Sequence, residues 1–333
     1  MNLDNRRPVV LITGPIHRDG LDLLRKEGVE VRVNYLDRSY SKEELIHELQ
    51  DVDGVITVSD KFDKEVIESS KRLKVISRDG VGYDAVDVDA ATSAGVLVTI
   101  NPFAGTESVA EITIGLMLSV ARKLTAADRF VREKRWTDKY VDSKLMGVEL
   151  AGRILGIIGL GRIGTCVAKK AAAFDLKITY YDMVRYDVLE RLMSIKYVAL
   201  DELLSKSDFV SIHTPLTKAT RSLIGEKELR SMKKSAYLIN TSRGQVVDQK
   251  ALLRALKEKW IAGAGLDVFG VEPISPSDPM LKLDNVVLTP HLGSYTIEAR
   301  SRMSREAAIN VLTVLRGQQP RNVVNPNVGS RNQ

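Results

Sequence analysis

Three charged side chains could carry chemistry in this sequence. Arg243 stands in Asn240-Thr-Ser-Arg-Gly244, Glu272 in Asp267-Val-Phe-Gly-Val-Glu-Pro273 and His291 in Thr289-Pro-His-Leu-Gly293. Each closely follows a short apolar run that reads as a strand. Imidazole titrates near neutral pH, so His291 could take a proton from an alcohol or return one to a carbonyl. A carboxylate paired with it, Glu272, would fix its tautomer and hold it protonated for the reduction. Arg243 would grip a substrate carboxylate and polarise the carbonyl through forked hydrogen bonds. Singly, each has an ordinary reading: a surface ion pair, a solvated loop, a satisfied histidine. Together, at successive strand ends, they point to hydride chemistry. His17 and His47 lie far from these segments. His213, also at a strand end, is expected to touch a cofactor through its backbone.

The cofactor is read from Ile154-Leu-Gly-Ile-Ile-Gly159-Leu-Gly161-Arg-Ile-Gly164-Thr-Cys-Val167. A buried strand runs into a glycine turn and then a helix, and a second strand ends at Asp182, eighteen residues past Gly164. Gly159 permits the turn, Gly161 lets the backbone approach a pyrophosphate, and Gly164 lets helix and strand pack closely. The helix N-terminus offers N–H groups and partial positive charge. Asp182 can accept hydrogen bonds from the ribose hydroxyls and would repel a 2′-phosphate, which favours NAD. Arg185 could soften that preference. A second glycine-rich turn, Arg78-Asp-Gly80-Val-Gly82-Tyr-Asp84-Ala85, lacks the third glycine and reads as a backbone loop donating N–H bonds to a small anion.

The elements that must position these groups alternate between strand and helix, as a parallel, helix-covered sheet requires. A first α/β domain has strands at 9–13, 29–33, 54–58, 74–77 and 96–99. Ser41 and Glu44 form the signature of a capping box. A long helix over 106–124, apolar nearly all round, leads to a charged, turn-rich connection over 129–146. The second α/β domain then begins, with later strands at 209–213, 236–240, 262–267 and 286–289. A final helix spans 296–316, ended by Gly317, and the polar tail after Gln318 is expected to lie extended.

Composition narrows the class. With 333 residues, 44% apolar and 28% charged, the chain can bury two cores of ordinary size. Its net charge of +6 is scattered, without the basic blocks or interleaved aromatics of a nucleic-acid binder. A single cysteine, Cys166, excludes an internal disulfide and a thiolate metal cluster, and no metal is expected. The N-terminal stretch 1–8 lacks the apolar core of a signal peptide, and no run suits a membrane span. A cytoplasmic enzyme is expected.

The motifs Gly159-Leu-Gly-Arg-Ile-Gly164, His213-Thr-Pro-Leu-Thr217, Asn240-Thr-Ser-Arg-Gly244, Ala264-Gly-Leu-Asp-Val-Phe269, Glu272-Pro273 and Pro290-His-Leu-Gly293, in this order, resemble those of the D-isomer-specific 2-hydroxyacid dehydrogenases. The resemblance implies two Rossmann/flavodoxin-like, doubly wound parallel-sheet domains joined by two long helices. A discontinuous substrate domain, 1–105 plus 296–333, would close on an NAD domain, 106–295, about hinges at Thr106 and near residue 295. It implies Arg243, Glu272 and His291 as the catalytic set. Gly80, Val81 and Gly82, with Arg78 before them, would bind the substrate carboxylate. Cofactor contacts are implied for Thr106, Gly159, Gly161, Arg162, Ile163, Gly164, Asp182, His213, Thr214, Pro215, Thr241, Ser242, Asp267 and Gly293. Family members are usually homodimers. Lys144-Leu-Met-Gly-Val-Glu-Leu150 and Arg78 resemble the phosphoglycerate dehydrogenase branch, whereas Val58 stands where that branch carries a phosphate-binding arginine. The layout is also similar to glyoxylate and hydroxypyruvate reductases, so both substrate sets stay open. An NADH-sensing corepressor and a phosphite dehydrogenase share the fold. A formate dehydrogenase would carry glutamine at Glu272.

Overall fold

The computed structural model describes residues 6–328. Residues 1–5, part of the N-terminal stretch read above, and 329–333, the end of the tail, lie outside the described residues. The chain forms two compact units, one running through Gly105 and resuming at Ser294, the other Thr106–Gly293.

The first unit alternates β1 (Val9–Ile12), α1 (Arg18–Lys26), β2 (Glu30–Val33), α2 (Lys42–Glu48), β3 (Gly54–Thr57), α3 (Lys64–Ser69), β4 (Val75–Arg78), α4 (Val88–Ser93) and β5 (Leu97–Thr99). Its strands pair in parallel in the order β2-β1-β3-β4-β5. β1 and β3 are buried at every residue, which is why they read as unbroken apolar runs rather than alternating ones. The Ser41/Glu44 capping box opens α2, and Gly28, at φ +75°, lets the chain leave α1.

The second unit begins with α5 (Thr106–Ala121) and α6 (Leu124–Arg132). It continues through β6 (Ile154–Ile158), α7 (Arg162–Ala172), β7 (Lys177–Tyr181), α8 (Asp187–Met193), β8 (Lys196–Tyr197), α9 (Leu200–Lys206), β9 (Phe209–Ile212), α10 (Glu226–Ser231), β10 (Tyr237–Asn240), α11 (Gln249–Lys257), β11 (Gly263–Leu266) and β12 (Val286–Leu288). These strands are parallel in the order β12-β11-β10-β9-β6-β7-β8. From β6 the chain goes to β7 on one side and returns to β9 on the other, so the carboxyl ends of β6 and β9 mark the switch point where such sheets bind ligands. One core under α5 and α7 and another under α9, α10 and α11 cover the two faces.

The last helix, α12 (Ile297–Leu315), is capped by Thr296 and packs on α1, β3 and β4 of the first unit. A Cβ at Gly20 on α1 would stand 2.6 Å from the Ser304 carbonyl oxygen, so that crossing needs glycine. The tail is more than extended. Val323 bridges Thr99 antiparallel, and the buried Asn325 side chain accepts from Val98 N at 2.8 Å and donates to Val96 O at 2.9 Å. It thereby covers the edge strand β5.

Sequence periodicity reads one helix to Leu124 and a connection over 129–146. The chain instead ends α5 at Ala121, turns at Lys123 (φ 53°) and forms α6, which runs to Arg132 and buries none of its residues. None of its apolar residues is buried, and the charged residues Asp128, Arg129 and Arg132 among them make the stretch read as a surface connection.

Candidate active site

Each glycine of the turn after β6 has a distinct geometric duty. Gly159 sits at φ +92°, and a Cβ there would meet the His213 backbone at 2.9 Å. A Cβ at Gly164 would stand 2.1 Å from the Gly159 carbonyl oxygen. Gly161 faces open space, and no side chain caps the α7 N-terminus it begins. A helix start of this kind suits an anion. Beside it, Asp182 accepts from Leu160 N at 2.7 Å and from Val184 N at 3.2 Å. Each carboxylate oxygen keeps a further lone pair for a ribose hydroxyl.

The neighbouring strand end offers more. The His213 ring is held by Ser211 Oγ at 2.8 Å through Nε2, while its Nδ1 and the Thr214 hydroxyl are buried with no hydrogen-bond partner among the described residues. Burial pushes the His213 pKa down to about 3, so this imidazole stays neutral. Pro215 follows, exposed; Arg162 and Ile163 occupy the first turn of α7. Thr106 opens α5, and Thr241 Oγ1 lies 2.8 Å from Thr113 Oγ1 of that helix. Open glycine backbone, an uncapped helix start, a pinned carboxylate and orphaned buried polar atoms fit a dinucleotide along these strand ends.

The three chemistry-bearing residues come together on the same side of the sheet. His291 Nδ1 and Glu272 Oε2 are 2.7 Å apart, and Glu272 Oε1 accepts from Phe269 N at 2.9 Å. Burial works to raise the Glu272 pKa, but the hydrogen bonds from His291 and Phe269 and the charges of His291 and Arg243 more than offset it, leaving the carboxyl below its ordinary value. That Arg243 acts on Glu272 shows the guanidinium is near. The pair thus holds a carboxylate on Nδ1 of a half-exposed ring.

Asn240 and Asp267 stand within the motifs quoted above, whereas Gln245 and Gln249 carry no such signal. Asn240 shapes the loop before Arg243 by donating to Arg243 O at 2.9 Å and accepting from Ser242 N and Oγ. Gln245 donates to Gly270 O at 2.8 Å and Gln249 accepts from Gly270 N at 2.7 Å, clamping the peptide two residues before Glu272. Asp267, fully buried, accepts from Thr289 Oγ1 at 2.6 Å, Leu292 N at 2.7 Å and Gly293 N at 2.8 Å. Burial still leaves its pKa raised, against those bonds and the charge of His291. Asp267 therefore anchors the His291 loop, with one acceptor site on Oδ2 left over. His291 itself has φ 54°, a left-handed backbone uncommon outside glycine and typical of constrained sites.

In the first unit, the Gly80-Val81-Gly82 loop follows β4. Arg78 at the end of β4 is tied to the backbone around it. Its Nε donates to Gly82 O at 2.7 Å and its Nη1 to Thr57 O and Val58 O at 3.2 and 2.6 Å, so the guanidinium braces the loop. Asp79, its carboxylate fully buried, forms an ion pair with Arg300 of α12 at 2.9 Å. Burial outweighs Arg300, Ser304 and Arg78 and keeps that carboxyl above its ordinary value. Among the described residues, no cluster of three or more His, Cys, Asp or Glu could hold a metal, and no helix is long and apolar enough to cross a membrane.

Residues 114–293 match the profile of the D-isomer specific 2-hydroxyacid dehydrogenase NAD binding domain. A glyoxylate reductase from Thermofilum pendens is 48% identical over 325 residues, 97% of this chain and 96% of that protein. Another, from Korarchaeum cryptofilum, is 45% identical over 323 residues, 97% of each. A solved NADPH-dependent glyoxylate/hydroxypyruvate reductase from Sinorhizobium meliloti, in complex with NADP and malonate, gives a TM-score of 0.88 at 31% identity, covering 98% of this chain and 100% of that one. The chain therefore belongs to the D-isomer specific 2-hydroxyacid dehydrogenases, NAD(P)-dependent oxidoreductases, and residues 114–293 carry its NAD-binding domain.

Proposed function

We propose that the protein reduces a small, unphosphorylated 2-keto acid, glyoxylate or hydroxypyruvate, to its D-2-hydroxy acid with NADH. The observation that carries this is the Glu272–His291 pair at 2.7 Å, set at strand ends of the sheet that bears the glycine turn. When bound, the nicotinamide supplies or accepts the hydride. His291 Nε2 gives a proton to the carbonyl oxygen as the hydride arrives, and Glu272 stabilises the imidazolium before the transfer and orients the ring after it. Arg243 holds the substrate carboxylate and draws charge from the carbonyl. In the first unit, the backbone N–H groups of the Gly80-Val81-Gly82 loop are assigned to binding a small anion.

Two features support the small acids over 3-phosphohydroxypyruvate. The relatives above are named glyoxylate reductases, and position 58 is a valine whose carbonyl is taken up by Arg78. A dianionic phosphate wants more than one cation. Asp182, fixed beside the glycine turn, supports NADH over NADPH because it would repel a 2′-phosphate. Assembly as a homodimer is supported by exposed apolar residues on α6 and the segment after it, Leu124, Val131, Trp136, Tyr140, Val141 and Met146.

NADH oxidation assayed with glyoxylate, hydroxypyruvate and 3-phosphohydroxypyruvate side by side tests the substrate. Preference for the phosphorylated acid would refute the reading. His291→Ala should abolish turnover and keep NADH binding; retained turnover would remove the proton-transfer role.

A further inference from the structure

Beyond the tip of β7 a second charged group stands near Asp182. Arg185, three residues on, has the charge to suit a 2′-phosphate and offset the carboxylate. Its guanidinium is engaged elsewhere. Nε lies 2.9 Å from Glu190 Oε1 and 3.0 Å from Asp187 Oδ1, and Nη2 donates to Glu190 Oε2 at 3.0 Å. The fork is closed on one carboxylate, the geometry in which arginine binds most firmly.

Glu190 is the fixed partner of the two. Its side chain is 15% exposed against 61% for Arg185. The hydroxyl of Tyr180, whose ring is wholly buried, donates to Glu190 Oε1 at 2.9 Å and accepts from Tyr186 N at 2.8 Å. Tyr180 is a residue of β7, the strand that leads to Asp182, so the sheet itself sets where Glu190 stands. Each partner keeps the other charged. The hydrogen bond to Arg185 is the main cause holding the Glu190 carboxyl below its ordinary value, and that to Glu190 is the main cause raising Arg185. The face of Tyr197 lies 5.9 Å from the guanidinium.

We propose that Glu190 sets cofactor specificity by holding Arg185 in a fork anchored on Tyr180, which keeps the guanidinium from a 2′-phosphate and so reinforces the preference for NADH. This rests on the reading of Asp182 as the ribose ligand. A 2′-phosphate could recruit Arg185 only by displacing Glu190, trading one charge-assisted fork for another while leaving a carboxylate behind. Released beforehand, Arg185 would bind the phosphate at no such cost. Glu190 touches no cofactor in this scheme; it is a positioning residue.

The test is isothermal titration of NADH and NADPH, with thermal midpoints as a fold control. Glu190→Gln keeps the Tyr180 hydrogen bond and removes the charge; Glu190→Ala removes the fork. Both should tighten NADPH about fivefold while NADH affinity stays put. Arg185→Ala alone should leave NADPH affinity as in the parent, and Glu190→Ala with Arg185→Ala should lose the gain. Unchanged NADPH affinity in both Glu190 variants overturns the proposal, as does a gain that survives in the double variant, since loss of charge would then explain it. Asp182→Asn run in parallel separates the two levels. If it shifts the NADPH to NADH ratio and the Glu190 variants do not, only the Glu190 role fails; if Asp182→Asn shifts nothing, the ribose reading beneath it falls.

Discussion

Gly244 follows Arg243 directly, at the point where two functional loops cross. A Cβ there would lie 1.9 Å from the Phe269 carbonyl carbon, 2.0 Å from its oxygen and 2.5 Å from Gly270 N. All three are backbone atoms, so no side chain can swing away. Real Cβ atoms keep at least 3.0 Å from such neighbours. Gly244→Ala must therefore part the two loops by about 1 Å, in an interior too densely packed to absorb it silently. The loop it pushes is the one clamped by Gln245 and Gln249 and carrying Glu272. Overpacking of this kind costs about 2 kcal/mol, or ~6 °C in the melting midpoint of a unit this size. Displacing Arg243 from Glu272 and His291 by about 1 Å should lower kcat/KM on the order of a hundredfold. Melting by calorimetry and steady-state kinetics with glyoxylate measure both. A variant with the parental midpoint, or one that melts lower yet keeps kcat/KM within about threefold of the parent, would refute the linkage of these loops to the chemistry.

Three further outcomes are expected. Gly161→Ala should behave in the opposite way: its Cβ meets nothing within 4 Å, so the midpoint should hold while NADH binding weakens, and unchanged NADH affinity would remove the pyrophosphate from that turn. His291→Gly should be more stable than His291→Ala by about 1 kcal/mol, because both lose Glu272 but only alanine keeps the left-handed strain at φ 54°; equal urea midpoints would show that the strain is absent. Burial takes the His213 pKa from 6.5 to about 3, so between those values the unfolded chain binds a proton that the fold does not. Stability present above the unfolded value should then be lost as pH falls through that window, by about 2 kcal/mol near pH 5. His213→Gln should flatten that slope, and equal slopes would contradict a neutral His213.

The fold was legible because parallel strands buried on both faces leave continuous apolar runs, as at Val9–Ile12 and Phe209–Ile212, and because the stops are local: Gly28 and Gly317 both sit at positive φ. Arg243, Glu272 and His291 could be singled out because strand ends are where such sheets place ligands. What escaped depends on long-range partners. Arg78 reads as a substrate cation, and its Nε and Nη1 also donate to three backbone carbonyls, two of them twenty residues or so earlier in the chain. The anchoring of the His291 loop by Asp267, and the grip of Gln245 and Gln249 on Gly270, join residues more than twenty positions apart with no local signature. α6 escaped for a different reason, since its apolar face stays unburied and is flanked by charge, so the stretch reads as a surface connection.

The two ends of the cofactor site are held by different means, and this decides which property can change. Around Arg243, Glu272 and His291 the constraints are backbone contacts and a buried carboxylate: Gly244 against Phe269, Asp267 against the amides of 292 and 293. Altering any of them moves atoms that cannot relax separately. At the end of β7 the constraints are side chains, with Asp182 partly exposed and Arg185 mostly so. Substitutions there disturb pairs worth little to stability. Cofactor preference should therefore shift through one or two surface replacements that leave the midpoint in place, whereas changes to the proton-transfer geometry should cost stability and turnover together.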